Sequence, residues 1–338
     1  MRRRHLFALP ALAALPGPAR AEADVIRLSH GLGMFYLPLI VMREAKLLEA
    51  ELARAGIKAE ASWAVQDGGG QINDAMLAGA LDIAGTSIPG FLTLWSKGRG
   101  TRSEVVGVSG LSTGALILNT NRPYIHALAD FRPDDKIAVP SVKVSLQAVI
   151  LQMASAQAFG DQEWARMDVN TVSMQHPLAT SALIGGKAEI AAHFASPPFT
   201  LTEAAAPNVH AVLRSPDVAG NITLNMVFAA KRFTTANPRH VRAFLAAQRA
   251  ANALIAGDPV EAARLFIRNS GSKVNPESIL GVLRDKQTRF ETAPHGFMKY
   301  VDFMQGGDDP GGAEGLGRVV CAGAGGGGEL NRTERPRF

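Results

Sequence analysis

One cysteine, Cys321, stands in 338 residues. No intramolecular disulfide can form, and the main body has neither a cysteine nucleophile nor a thiolate metal site. Charge of one sign is also scarce. The formal net charge is +5, but Arg2, Arg3, Arg4 and Arg20 fall in residues 1–21, which hold no acid. The remainder has 31 basic and 30 acidic residues. A chain that grips nucleic acid phosphates keeps its positive charge in the folded part, so nucleic-acid binding is not expected. No apolar run reaches the roughly 20 residues that a membrane helix needs. Apolar residues nevertheless make up 47% and charged residues 19%, which excludes a wholly disordered chain. The length suits one large domain or two lobes.

The first residues read as a leader. A basic start at residues 2–4 precedes an apolar stretch over 6–15, and Ala19-Arg20-Ala21 has the form of a signal-peptidase site. A signal peptide over 1–21 and a mature start at Glu22 are expected, with a periplasmic destination. Arg3-Arg4-His5-Leu6-Phe7 fits a twin-arginine signal, and the Sec route stays open.

Beyond the leader, short β-like stretches alternate with helical periodicity. Val25–Ser29, residues 59–65 and Asp82–Gly85 read as strands. Pro38–Leu52 and a stretch from about Gln71 read as helices, with Asp67-Gly68-Gly69-Gly70 before the second. This alternation predicts an α/β fold with largely parallel strands. Two segments repeat. Ile26–Leu48 and Ile137–Phe159 each run strand, polar loop, helix, the second with Ile137–Val139 as strand and Ser145–Phe159 as helix. Met76–Ala84 resembles Leu183–Ala191, both ending in an acid, Ile and Ala. Two similar lobes are therefore expected. The tail differs: residues 305–338 hold 11 of the 34 glycines, and helical periodicity stops near Met304. That stretch reads as a disordered appendage.

The order of several stretches resembles a known family. They are Leu28–Pro38, Met76–Ser87, Lys136–Ser145, His176-Pro177 through Phe199, and Phe297–Met304. Together they are similar to the periplasmic substrate-binding proteins of ABC importers, of the nitrate, sulfonate and taurine type, which includes binders of thiamine-precursor pyrimidines. The resemblance covers about residues 24–304. It implies a type II periplasmic binding protein fold: two α/β lobes, a ligand cleft between them, and two crossing strands as hinge. The first lobe is expected over 22–112 and 224–304 and the second over 113–223. The Gly-rich tail departs from the family's usual ending.

In parallel α/β folds, ligands sit beyond the carboxyl ends of strands, where helix N-termini leave N–H groups unpaired. Four loops fit: Gly31–Phe35, Asp67–Gly70, Ser141–Ser145 and Gln175–Pro177. The candidate ligand-binding residues are Gly33, Met34, Phe35, Thr86, Ser87, Lys143, Ser145, His176, His193 and Asn225. Each has a plainer role open to it. Ser145 has the position of a helix cap, Lys143 that of a solvated loop charge, Phe35 that of core, and the histidines that of satisfied structural groups. Gly31-x-Gly33 begins like a dinucleotide fingerprint, but Tyr36 occupies the third glycine position.

No catalytic residue, cofactor or metal is expected. His-Glu-x-x-His, Cys-x-x-Cys and Gly-x-Ser-x-Gly are absent, and Ser270-x-x-Lys273 lacks its companion motifs. The sequence points to a monomeric binder of a small solute, leaning towards an anion such as sulfonate, nitrate or taurine. Its partners would be an ABC permease and ATPase. An enzyme on the same fold, or a sensor for a signalling receptor, remains the alternative.

Overall fold

The computed structural model describes residues 23–66, 69–186 and 189–304. The leader, Asp67 and Gly68 of the glycine loop, and the tail with Cys321 lie outside them. Ten strands are described: β1 Val25–Gly31, β2 Glu60–Gln66, β3 Ile83–Ser87, β4 Val105–Thr113, β5 Ile117–Thr120, β6 Ile137–Val139, β7 Thr171–Ser173, β8 Ala192–Ala195, β9 His210–Arg214 and β10 Thr223–Ala230. They form two five-stranded sheets, in the orders β2-β1-β3-β10-β4 and β7-β6-β8-β5-β9.

The two sheets have one plan. β1 pairs in parallel with β2 and β3, and β6 pairs in parallel with β7 and β8. In each sheet the antiparallel strand follows the chain's arrival from the other lobe. β5 lies between β8 and β9, and β10 lies between β3 and β4. The expected repeat is thus a repeat of topology. Its register is shifted from the sequence match. Asp82 N–H donates to Arg27 O as Ala191 N–H donates to Lys136 O; aligned on these matching bonds, Ile83 opposite Leu28 corresponds to Ala192 opposite Ile137 rather than to Ile190. A slip of two residues keeps every side chain on its own face, which is why the apolar pattern tolerates it.

The buried strands are apolar because helices cover both sheets. β10 is buried along its whole length, and Phe228 packs 5.9 Å from Phe91, which also meets Phe297 at 6.5 Å. One expected helix divides. Leu37–Glu44 ends at Ala45, Lys46 takes a left-handed conformation (φ 51°), and Leu47–Arg54 starts afresh. The break re-aims the second piece so that Leu48 and Leu52 are buried beside the helix Pro238–Gly257.

A third passage supports the hinge. Gly110 N–H donates to Thr292 O at 2.7 Å, Thr113 N–H to Arg289 O at 2.8 Å, and Thr223 N–H to His295 O at 2.9 Å. The segment from Arg289 to His295 therefore lies along both β4 and β10. The helix Phe297–Met304 then reaches the second lobe: Lys299 Nζ donates to Ala219 O at 3.0 Å, and Phe303 meets Trp164 edge-on at 6.4 Å.

Candidate functional site

The parallel strands β1 and β3 of one sheet and β6 and β8 of the other aim their carboxyl ends at one interlobe cleft, and the antiparallel β10 and β5 bring their amino ends to it. Its cavity is about 50 Å³. The polar lining is Tyr36, Ser87, Gln147, His176, Ser196 and Asn225, and the apolar lining includes Leu32, Phe35, Leu116, Pro140 and Leu146. Among the described residues no Lys or Arg lines it. Both lobes contribute, and they touch: Met34 N–H donates to Pro197 O at 2.8 Å. Gly33 makes that approach possible. It has φ 104° and ψ 164°, a region open to glycine, and a methyl there would stand 3.1 Å from Ser196 Oγ.

Four expected residues meet at the cavity: Phe35, Ser87, His176 and Asn225. Ser87 and Asn225 stand side by side on β3 and β10, and Ser112 of β4 is next in register. Ser112 Oγ is buried and has no partner. Ser87 Oγ also accepts from Gly90 N–H at 3.2 Å, capping the helix Ile88–Gly98. Gly33 and Met34 sit at the interlobe contact rather than in the lining, and the Met34 side chain is buried in the core. Thr86 is fully buried beside Gly90, with Oγ1 unpartnered, and is not among the lining residues. Ser145 caps the helix Leu146–Phe159 through Ala148 N–H at 3.3 Å. Lys143 is exposed, with φ 65°, outside the lining.

His193 stands one layer behind His176, in a buried chain of side chains. Gln147 Nε2 lies 3.3 Å from His176 Nε2, His176 Nδ1 lies 2.8 Å from His193 Nε2, and His193 Nδ1 lies 2.5 Å from Glu203 Oε1. Glu203 also accepts from Thr180 Oγ1 and from Asn119 Nδ2, each at 2.8 Å. His193 and Glu203 are wholly inaccessible to solvent. Phe199 stacks on His176 at 4.9 Å. Burial pushes the His176 imidazole well below its usual pKa, and His193 beside it adds to this. In the first lobe, burial lowers His30 to about 4, against a smaller opposing effect of its bond to Gly31 O.

Sequence reasoning missed Glu203, Gln147, Thr180 and Asn119. An acid on a short helix reads as a solvated charge. The one signal was spacing: Phe199 and Glu203 are four apart, so a helix puts them on one face. Among the described residues no cluster of three His, Cys, Asp or Glu has the geometry to hold a metal.

A larger groove of about 640 Å³ opens at the amino ends of the first lobe's strands, among Arg27, Asp82, Glu104 and Lys231. Two of its four cations pair with acids, Arg27 with Asp82 at 2.6 Å and Lys231 with Glu104 at 2.9 Å; Arg232 donates to Gly79 O at 3.2 Å, and Arg102 also lines it. The strand carboxyl ends lie at the other side, so the smaller interlobe cavity is the better ligand site.

No family model and no curated protein matches the chain. Solved structures do. The alkanesulfonate-binding protein SsuA from Xanthomonas axonopodis pv. citri, bound to MOPS, superposes with a TM-score of 0.67 at 16% identity, covering 89% of this chain and 97% of that one. The periplasmic nitrate-binding protein NrtA from Synechocystis gives 0.70 at 15% identity, over 88% and 85%. A Candida albicans protein described as having the generic periplasmic binding protein structural fold gives 0.58 at 13%, over 84% and 90%. Among the described residues no helix is long and apolar enough to cross a membrane. Two sheets of one plan, a cleft at their strand ends and these superpositions together give the chain the two-lobed fold of the periplasmic binding proteins.

Proposed function

We propose that the protein is an extracytoplasmic solute-binding protein that delivers a small oxyanion, of the nitrate or short-sulfonate kind, to an ABC importer. The observation that carries this reading is the small cavity between the lobes, lined by uncharged hydrogen-bonding groups from both. Its 50 Å³ is far below the roughly 300–1,000 Å³ of drug-sized sites, which favours a solute of few heavy atoms. Ser87, Ser196, Asn225 and Gln147 offer hydroxyl and amide donors to oxygen atoms. Leu32, Phe35 and Leu146 keep bulk water away, which strengthens those bonds. The structural neighbours include proteins named for sulfonate and nitrate binding.

The protein works in this reading as a monomer, is exported by its leader, and hands its solute to a membrane permease driven by an ATPase. It makes and breaks no covalent bond. Calorimetric titration with nitrate, methanesulfonate, taurine, acetate and a hydroxymethylpyrimidine tests the reading. Saturable binding of an oxyanion, with the solute recovered unchanged, is expected. Binding confined to the pyrimidine, or conversion of any solute, would contradict it.

A further inference from the structure

We propose that Tyr36 sets the upper size of the solute, by filling a slot that would otherwise extend the cleft towards His30 and Trp63. The inference rests on the oxyanion reading and deepens it, by naming which oxyanions the cleft admits.

Tyr36 interrupts the glycine fingerprint that begins at Gly31, and in the fold its ring lies against that glycine. A methyl on Gly31 would stand 2.6 Å from both Cε2 and Cζ of Tyr36, so the ring sits there only because the side chain is missing. The ring's other edge reaches over β3: its Cδ1 is 3.4 Å from where a Cβ on Gly85 would stand. The ring thus occupies a bed that two glycines on adjacent strands leave open. Tyr36 immediately precedes the helix Leu37–Glu44, whose first six residues are buried, so the packing of that helix holds it in place. Tyr36 also lines the cavity, and Gly31 beside it does too.

Beyond the ring the ground is polar. Neither His30 nor Trp63 lines the cavity. The His30 ring centre lies 6.5 Å from that of Tyr36 and 6.0 Å from that of Trp63. His30 is 1% exposed, and its Nε2 is buried without a hydrogen-bond partner. Trp63 Nε1 is likewise buried and unpartnered. The two atoms have opposite senses. His30 Nδ1 lies 2.9 Å from Gly31 O, and a carbonyl only accepts, so the proton is on Nδ1 and Nε2 is a bare acceptor. Trp63 Nε1–H can only donate. Buried groups left unmet cost stability, and packing alone gives no reason for them. An acceptor and a donor in neighbouring rings are what a hydroxyl-tipped chain would meet, and Tyr36 fills the way to them from the cleft. The protein therefore admits nitrate and methanesulfonate and excludes sulfonates whose chain must pass Tyr36.

The test is calorimetric titration of the wild type, Tyr36→Phe and Tyr36→Ala with nitrate, methanesulfonate, butanesulfonate, and the isostere of butanesulfonate that ends in a hydroxyl instead of a methyl. In the wild type both long sulfonates should bind at least about tenfold more weakly than methanesulfonate, because they overfill the site. Tyr36→Phe keeps the ring and should keep that ratio. In Tyr36→Ala the ratio should fall about tenfold, and the hydroxyl compound should bind about tenfold more tightly than its methyl isostere, since it meets both bare groups. If Tyr36→Ala does not fold, Tyr36→Leu reads the same ratios. Three results overturn the inference and leave the oxyanion reading standing: a wild type that takes butanesulfonate as tightly as methanesulfonate, a ratio unmoved by loss of the ring, or equal binding of the two isosteres once the ring is gone. Failure of nitrate and methanesulfonate to bind the wild type overturns the reading itself, and the inference with it.

Discussion

Behind the cleft the first lobe packs Phe91 against Phe228 and Phe297, while the second buries Glu203 among His193, Thr180 and Asn119. The strand order is the same on both sides. Topology alone thus determines where the cleft lies, since it brings the carboxyl ends of the parallel strands of both sheets to one place. It does not determine what the cleft wall can do. The first lobe offers fixed donors on a stiff apolar support. The second offers the edge of His176, held from behind by a buried chain of polar side chains.

Substitutions can perturb each lobe on its own. The largest effect is expected in the first lobe. Phe228→Ala removes a fully buried ring at the centre of β10 and should cost about 4 kcal/mol, read by denaturant unfolding. In the second lobe, Glu203→Leu leaves Thr180, Asn119 and His193 without their acceptor and should cost about 3 kcal/mol by the same method. If Glu203→Leu were neutral, the polar chain would be dispensable and the contrast between lobes would fail.

Acid sharpens the contrast. His30 is neutral in the folded protein down to pH about 4, whereas an unfolded histidine titrates near 6.5. Between those values the unfolded state binds a proton that the folded state does not. Stability is therefore complete above about pH 6.5 and falls as pH drops towards 4, by about 3 kcal/mol from this residue. His176 acts in the same direction. His30→Gln should flatten the first lobe's share of that slope in unfolding curves across the window, and leave the second lobe's share intact.

Smaller effects probe the contact between lobes. Gly33→Ala forces a side chain into φ 104° and towards Ser196, and should cost about 2 kcal/mol in unfolding while weakening solute binding. The two capping serines form a matched pair, one per lobe. Ser87→Ala and Ser145→Ala should each cost about 1 kcal/mol by lost capping. Ser87→Ala should also weaken binding in the calorimeter, because Ser87 lines the cavity and Ser145 does not.

Much of the frame was legible in the sequence. Expected strands at Val25–Ser29, residues 59–65 and Ile137–Val139 correspond to β1, β2 and β6, because apolar patterning directly reports burial. The expected Ser145–Phe159 helix runs over Leu146–Phe159 with Ser145 as its cap. The break at Lys46 was not legible, since nothing in Glu44-Ala45-Lys46-Leu47 is a helix breaker and tertiary packing imposes the turn. The passage along the hinge by Arg289–His295 was missed because it binds through backbone groups, which every sequence has. The cleft residues were half legible. Ser87 and His176 stand at loop ends where ligands gather, but Glu203 is identified only by what it touches.

The central claim is that the interlobe cavity binds a small oxyanion. Its most direct test is the thermal midpoint of the protein with and without nitrate or methanesulfonate, compared with Asn225→Leu, which removes a donor from the lining. At 100 times its Kd a ligand adds about 2.7 kcal/mol. That should raise the midpoint by several degrees, at roughly 2–4 °C per kcal/mol. A rise with one anion in the wild type that is lost in Asn225→Leu is the predicted result. A rise of equal size in both proteins would place the anion elsewhere and contradict the account.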